Sequence, residues 1–270
     1  MVEMTKKYKI GTRRFGLINW VGAWTLYKKE VLRFLIVWVQ TIFSPLISSL
    51  LFLLVLSLAI GNERGEVLGV PFVIFLAPGL IAMQVIQQSF SHSSSSFMIG
   101  KIQGNIVDLL YAPLSAAEVT ISVCLAAVTR SFMIAFVSIV VFYFMIDIQI
   151  KHFFTLILFT FLSSFILGNI GTIAGLWAEK FDHMASVTNF VIVPLSFLSG
   201  TFYTIDRLPS FLKTISEANP FFYMIDGFRY CFINQADGSI KIGIIYLIVL
   251  SILSWLIAYI LFKRGYKIKS

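Results

Sequence analysis

Hydrophobic residues are concentrated in long blocks separated by short polar stretches. Six such blocks lie at about 34–60, 71–92, 119–146, 153–178, 185–203 and 240–262, and each can cross roughly 30 Å of hydrocarbon as a helix. A membrane β-barrel would show shorter segments with alternating polarity instead. The pattern predicts an all-α integral membrane protein whose six transmembrane helices form a single domain over residues 1–270.

An amphipathic stretch precedes the first span. Apolar side chains recur every three or four residues there, at Leu17, Trp20, Val21, Trp24, Tyr27, Val31 and Phe34, while Lys28, Lys29 and Arg33 fall on other faces. This spacing predicts that residues 1–33 form a cytoplasmic tail and a helix lying in the membrane interface. The alternative is that the stretch is the cytosolic start of the first span.

A second amphipathic stretch, 97–112, lies between the second and third spans. Its polar side chains exclude it from the bilayer, yet Ile99, Ile102, Ile106, Leu109 and Leu110 recur at helical spacing. The pattern predicts a helix outside the membrane. Its apolar face either docks a partner or is buried against the rest of the chain.

The segment from Thr201 to Ile233 is too polar to span the membrane and too apolar for a free loop. Asn219 can cap a helix and Pro220 suits its first turn. Leu208, Phe211, Leu212 and Ile215 provide an apolar face for a preceding helix. We expect two short helices that dip into the outer leaflet before the last span.

Charge predicts the orientation. The chain is 58% hydrophobic and 13% charged, and its net charge of +8 comes from basic residues near both ends. These residues are Lys6, Lys7, Lys9, Arg13, Arg14, Lys28, Lys29 and Arg33 before the first span, and Lys263, Arg264, Lys267 and Lys269 after the last. The positive-inside rule then predicts that both termini are cytoplasmic. Anionic membrane lipid is a sufficient partner for this charge, so it gives no support for nucleic-acid binding.

Catalytic and metal chemistry finds little support in the pattern. Cys124 and Cys231 are far apart in sequence, and none of the three histidines belongs to a metal-binding motif, so we expect no metal site and no catalytic residue. Gly100-Lys101 is the nearest approach to a P-loop, but Ser95 and Ile102 stand where that motif needs Gly and Ser or Thr. We therefore expect the chain to bind no nucleotide cofactor itself.

Polar residues inside the spans are the remaining candidates for a site. The second span carries a stripe at helical spacing, made of Gln84, Gln87, Gln88, Ser91 and Ser95. The stripe either joins helices by hydrogen bonds or lines a pathway between subunits. Arg130 in the third span pairs with a polar neighbour, snorkels towards the membrane surface or lines a substrate path. Pro45, Pro78 and Pro194 can kink their spans.

Three stretches carry a resemblance to a known family. They are "LAPGLIAMQVIQQSFSHSSSSFMIGKIQGNIVDLLYAPLS", "PLSFLSGTFYTIDRLP" and "NPFFYMIDGFRY". In order and spacing they resemble the permease subunit of ABC-2-type ABC exporters, in particular small bacterial permeases for drugs and polysaccharides. The similarity covers nearly the whole chain.

The resemblance implies roles for two segments. The stretch between the second and third spans would be a cytoplasmic coupling helix that docks on a separate ATPase, through Gly100, Lys101, Gln103, Gly104, Asn105, Asp108 and Leu109. The interfacial N-terminal helix would be a second contact with that ATPase. Extracellular re-entrant helices would cap the exit and include Asp206, Arg207, Asn219, Pro220, Asp226 and Arg229.

The resemblance also implies an assembly. Two copies of the permease would join two ATPase subunits, which bind ATP and Mg, and an amphipathic, lipid-linked or drug-like substrate would leave between the permeases. The location would be a bacterial plasma membrane, the inner membrane in a Gram-negative cell. Two rivals are a lipid-modifying membrane enzyme, which would need a paired acid, base or metal cluster, and a non-transporting membrane scaffold or assembly factor.

Overall fold

The computed structural model describes residue 16 and residues 18–268, with side chains described except at 60–64. Leu17 and the basic residues Lys6, Lys7, Lys9, Arg13, Arg14 and Lys269, which entered the predictions above, lie outside the described residues. The elements in chain order are α1 Trp20–Ile36, a π-helical turn Val39–Phe43, α2 Ser44–Arg64, β1 Glu66–Val67, β2 Val70–Pro71, α3 Phe72–Ile102, α4 Ile106–Tyr111, α5 Ala116–Ile146, α6 Phe153–Trp177, α7 Phe181–Val187, a second π-helical turn Thr188–Ile192, α8 Val193–Leu198, a 3₁₀ turn Ile205–Arg207, α9 Ser210–Ala218, α10 Pro220–Ile233 and α11 Ile240–Lys263.

Six helical segments in the described part of the chain are long and apolar enough to cross a membrane. They are Val39–Ala59, Phe72–Ile102, Ala116–Ile146, Phe153–Trp177, Phe181–Leu198 and Ile240–Lys263. The prediction of an all-α membrane protein with six spans is confirmed. The described strands are confined to a two-stranded hairpin between α2 and α3, where Val67 pairs with Val70.

The first and fifth spans are interrupted by π-helical turns, so neither is the uniform helix that the hydrophobic blocks suggest. Each turn ends two residues before a proline, at Phe43 before Pro45 and at Ile192 before Pro194. Proline has no N–H to donate and its ring crowds the carbonyl four residues earlier, and a wider turn relieves that conflict. The first span accordingly begins at Val39 and is separate from α1, rather than starting at about residue 34.

The second span is longer than predicted. Helix α3 was expected to end near residue 92 but continues to Ile102. The serine-rich run after His92 does not end it, because Ser94 and Ser95 donate their hydroxyls to the carbonyls of Phe90 and His92 in their own helix. The extension is buried as well, since Phe97 and Met98 belong to the packed interior.

Helix α3 is the centre of the bundle. Within its most apolar window 78% of the residues are buried, against 22% for α11 and 17% for the fifth span. It contacts α2, α5, α6 and α10, and it lies closest to α6. A Cβ placed on Gly171 of α6 would lie 2.5 Å from the Phe90 carbonyl oxygen, and one on Gly175 would lie 2.7 Å from that of Ser94. Glycine at these two positions therefore sets the close approach of the two backbones.

Helix α1 is fastened to the start of α5. Asn19 caps α1 by accepting from the Gly22 amide at 2.9 Å, and its own backbone N–H donates to Glu118 at 2.6 Å. Glu118 also completes a capping box with Ser115 at the start of α5. One face of α1 buries Leu26, Glu30 and Phe34, while Trp20, Val21 and Trp24 on the opposite face are exposed. The exposed aromatic face agrees with a helix at a membrane interface.

Candidate functional site

One end of the bundle gathers α1, α4, the start of α5 and the ends of α3, α6 and α11 around a second hydrophobic cluster. Leu26, Phe97, Ile106, Leu176 and Phe262 are among its buried members. We call this the α4 end of the molecule. The cluster fixes α1 and α4 to the helices that pass through the bundle.

The predicted single helix over 97–112 is wrong. Its first half is the end of α3, and α4 begins only at Ile106 after a turn over Gln103, Gly104 and Asn105. Gly104 ends the helix because it adopts a positive φ of 74°, which other L-residues seldom adopt. Gly100 leaves room for Ile106, whose side chain would lie 3.7 Å from a Cβ added there. In the turn, Asn105 donates its side-chain amide to Gln103 at 3.1 Å.

Lys101 points into the protein rather than towards a partner. Its ammonium donates to the carbonyls of Leu176, at 2.8 Å, and Ala178, where α6 ends. The last carbonyls of a helix lack partners within it and carry partial negative charge, so a lysine there stabilises the helix end. The partners lie more than seventy residues away in sequence, which is why local pattern did not reveal this contact.

The outer face of α4 is exposed and partly apolar. Val107, Leu110 and Tyr111 are solvent-accessible, and Tyr111 is 85% exposed. Asp108 is exposed beside them, whereas Leu109 is partly buried against the cluster below. A groove of about 370 Å³ separates α4 from α1 and is lined by Gly22, Lys29, Asp108 and Pro113 among others. The two segments predicted to contact an ATPase therefore lie side by side at one end.

The polar stripe divides between a cavity and the interior. Gln88, Ser91, Ser95 and Arg130 line one cavity of about 510 Å³. Arg130 donates to the side-chain oxygen of Gln88, the kind of polar neighbour that the sequence suggested for it. Gln84 and Gln87 do not line this cavity, and Gln84 is buried.

A charged cluster beside this cavity was missed in the sequence. Arg33, which the amphipathic pattern placed on another face of α1, donates from Nε to Glu30 at 2.9 Å, and from its Nη atoms to Ser95 Oγ at 3.3 Å and the His92 carbonyl at 3.0 Å. His92 is fully buried inside α3, not at a span end, and its Nε2 lies 3.8 Å from Glu30. The i, i+3 spacing of Glu30 and Arg33 was the available signal.

At the other end, α10 is held by buried charges. Arg229 donates to the carbonyls of Gly200, at 2.5 Å, and Thr201, at 3.3 Å, and its guanidinium lies 4.0 Å from the centre of the Phe75 ring. Asp226 accepts from the backbone amides of Asp237 and Gly238, both at 2.9 Å. Burial raises the pKa of Asp226 above its ordinary value. These contacts tie α10 to the loops on either side of it.

The rest of this segment consists of α9 and the 3₁₀ turn. The expected capping pair is confirmed, since Asn219 accepts from the Phe221 amide at 3.1 Å and Pro220 begins α10. Asp206 accepts from Lys213 at 2.5 Å on the surface, and Arg207 beside it is exposed. Phe211 on the predicted apolar face of α9 is exposed, so this face contacts little of its own chain.

Six spans, two short helices before the last span and an amphipathic helix before the first define a polytopic membrane protein. A family model for the ABC-2 type transporter matches residues 22–233. The chain belongs to the ABC-2 type transporter family, and is thus a multi-pass membrane component of a transporter. Membership implies an ABC ATPase as partner.

The chain is similar to two groups of curated proteins. It is 32% identical over 253 residues to the inner membrane transport permease YadH of Escherichia coli K12, covering 94% of this chain and 99% of that protein. It is 23% identical over 269 residues to nodulation protein J of Rhizobium leguminosarum bv. viciae, covering 94% and 98% respectively. The similarity in both cases runs along nearly the whole of each protein.

Proposed function

We propose that this chain is the permease subunit of an ATP-driven exporter, and that α4 is its joint with a separate ATPase. Two copies pair in a bacterial plasma membrane, the inner membrane of a Gram-negative cell, with both termini cytoplasmic. ATP and Mg bind to the partner ATPases, and their closure moves α4 and α1 together. An amphipathic, lipid-linked or drug-like substrate passes outward between the permeases.

The observation that carries this proposal is the exposed apolar face of α4, a helix whose other face packs on the second hydrophobic cluster. Ile106 and Leu109 anchor the short helix below, while Val107, Leu110 and Tyr111 project outward. Because Lys101 fastens the end of α3 to the end of α6, a push on α4 acts on two spans at once. Packed helices respond to such a displacement by moving as rigid bodies.

The experiment is co-expression of the tagged permease with its neighbouring genes, followed by purification and an assay for a bound ATPase. The triple variant Val107→Ser, Leu110→Ser, Tyr111→Ser removes the docking face without touching Ile106 or Lys101. We expect it to retain less than about a tenth of the ATPase, because apolar anchors dominate helix-in-groove docking. The matched control Phe211→Ser, Ile215→Ser removes exposed apolar surface from α9 and should retain the wild-type amount.

Two results would contradict the proposal. If the α4 variant keeps both the ATPase and its stimulation by the permease, α4 is not the joint. If the wild-type permease purifies alone and ATP hydrolysis is indifferent to its presence, the alternative of a non-transporting membrane scaffold or assembly factor takes precedence.

A further inference from the structure

The polar cavity of about 510 Å³ lies between α1, the first π-helical turn, the start of α2, α3 and α5. Arg33 and Arg130 are its charged lining residues, and Gln88, Ser91 and Ser95 add uncharged hydrogen-bonding groups. Gln40, Ser44 and Ser91 at the mouth are exposed. A cavity with this lining, inside a transmembrane bundle, is a functional candidate because polar groups are costly there.

Arg130 carries a positive charge that the described protein does not neutralise. It is only 8% exposed, its Nε finds no hydrogen-bond partner among the described residues, and its bond to Gln88 reaches a neutral amide. No carboxylate of the described residues lies within 4 Å of the Arg130 guanidinium. A buried guanidinium of this kind is stabilised by an anion that can accept its remaining N–H groups.

Arg33 adds to the positive charge. Its Nε is paired with Glu30, which is buried and is not one of the lining residues. Among the described residues Glu30 is the carboxylate paired with Arg33, so this carboxylate and the two arginines together carry a net charge of about +1 at neutral pH. Guanidinium groups and nearby neutral donors suit the oxygen atoms of a phosphate or carboxylate.

The surface beside the mouth indicates what the anion is attached to. Ile36, Val39, Phe43 and Ile47 are exposed along α1, the π-helical turn and α2, next to the exposed Gln40 and Ser44. Val39, Phe43 and Ile47 belong to the first span, so the mouth opens beside the hydrocarbon of the membrane, where an anion can carry an acyl chain. We propose that the cavity binds the oxyanion headgroup, a phosphate or carboxylate, of an amphiphile whose hydrocarbon chain lies along α1 and α2.

This inference rests on the proposed function in one respect: if the chain is an exporter, anionic amphiphiles are its substrate class. Binding itself depends on Arg130, Arg33 and the cavity. The site and the transport role are therefore separable by experiment.

The test is a native mass spectrometry titration of the delipidated full chain in neutral maltoside detergent. The probes are phosphatidic acid, a free fatty acid, diacylglycerol as a chain without an anion, and inorganic phosphate as an anion without a chain. We expect phosphatidic acid or the fatty acid to bind, and Arg130→Gln to weaken that binding roughly 10- to 100-fold, the range for losing a charge-assisted hydrogen bond. Lys28→Gln removes the same charge from the exposed surface of α1 and should bind as the wild type does.

A second variant distinguishes loss of the binding site from misfolding of the protein. Ser91→Phe fills the exposed mouth without removing any charge, so its expected loss of binding reports occlusion of the cavity alone. The proposal is overturned if diacylglycerol binds as tightly as phosphatidic acid, if Arg130→Gln keeps full affinity, or if inorganic phosphate binds as tightly as the amphiphiles.

Parallel assays of ATP hydrolysis in the complex separate the two proposals. If phosphatidic acid or the fatty acid binds through Arg130 but leaves hydrolysis unchanged, the site stands and its role in transport fails. If the ATPase assembles and is stimulated while neither anionic amphiphile binds, the proposed function stands and the site fails.

Discussion

Asp237 and Asp226 are two carboxyl groups held close together in the segment that precedes α11. Asp237 accepts from the Ile205 amide at 3.3 Å, while its own amide donates to Asp226. Burial, followed by the charge of Asp226, raises the pKa of Asp237 to about 6, against the opposing effect of Arg229. An aspartate in an unfolded chain titrates near about 3.9. The folded state therefore holds this proton more tightly than the unfolded state does.

This difference predicts how stability depends on pH. Between about pH 4 and 6 the folded chain binds more protons than the unfolded chain at this site, so its contribution to stability falls as pH rises. Asp237→Asn should be more stable than the wild type at pH 7.5, and the difference should shrink towards pH 4.5. Thermal unfolding of the purified protein at several pH values measures it.

The control for this prediction is Asp206→Asn. Asp206 is exposed and paired with Lys213, so its replacement should not reproduce the pH-dependent gain. A wild type that gains stability relative to Asp237→Asn as pH rises would show that the carboxylate is stabilised by its neighbours.

Single residues also differ in how well their structural role can be predicted from their neighbours in the sequence. The capping role of Asn219 was predictable because cap and helix are adjacent in the chain. Arg130 needed a polar partner in apolar surroundings, and Gln88 supplies it. Lys101 was not predictable, because an exposed lysine and one that caps a distant helix look alike in a local pattern.

At the scale of elements, α3 and α6 show what hydrophobic pattern omits. Gly171 and Gly175 are four residues apart and lie against the carbonyls of Phe90 and Ser94. The small-xxx-small spacing was visible in the sequence, but not the helix it faces. The same packing buries much of the serine-rich part of α3, so the helix continues past residue 92, where the hydrophobic block ends.

This packing predicts that Gly171→Ala destabilises the protein. The new Cβ would lie 2.5 Å from a backbone oxygen that cannot rotate away, so the two helices must separate. We expect a loss of about 1–3 kcal/mol, typical of overpacking, despite the better helix propensity of alanine. Thermal unfolding of the variant in detergent measures the loss.

Gly168→Ala is the matched control in the same helix. A Cβ there would lie 3.4 Å from its nearest neighbours, Ala127 Cβ and Ser93 Oγ, so the change should be close to neutral or mildly stabilising. Equal effects of the two substitutions would mean that α3 and α6 are farther apart in the membrane than this packing requires.

On the scale of the whole molecule, the two ends differ in charge and in construction. Exposed basic residues outnumber exposed acidic ones at the α4 end, where Lys28, Lys29, Lys180, Lys263, Arg264 and Lys267 stand against Asp108, Glu179 and Asp182. At the other end, exposed acidic and basic residues are interspersed, with Asp206 beside Arg207 and Lys213. The bounds of most helices and the partners of the buried charges could be assigned only from the folded structure. The difference in charge between the two ends was already visible in the sequence. The positive-inside rule therefore predicts that the α4 end faces the cytoplasm.

Cysteine labelling tests that orientation. Cys124 and Cys231 are both buried, so the parent protein should react little with a membrane-impermeant maleimide. Lys180→Cys introduces an exposed thiol at the α4 end, and Gln235→Cys introduces one in the loop after α10. In intact cells, with the outer membrane permeabilised where one is present, we expect labelling of Gln235→Cys alone. Both variants should label once the plasma membrane is opened. Labelling of Lys180→Cys alone in intact cells would invert the topology and place α4 out of reach of a cytoplasmic ATPase.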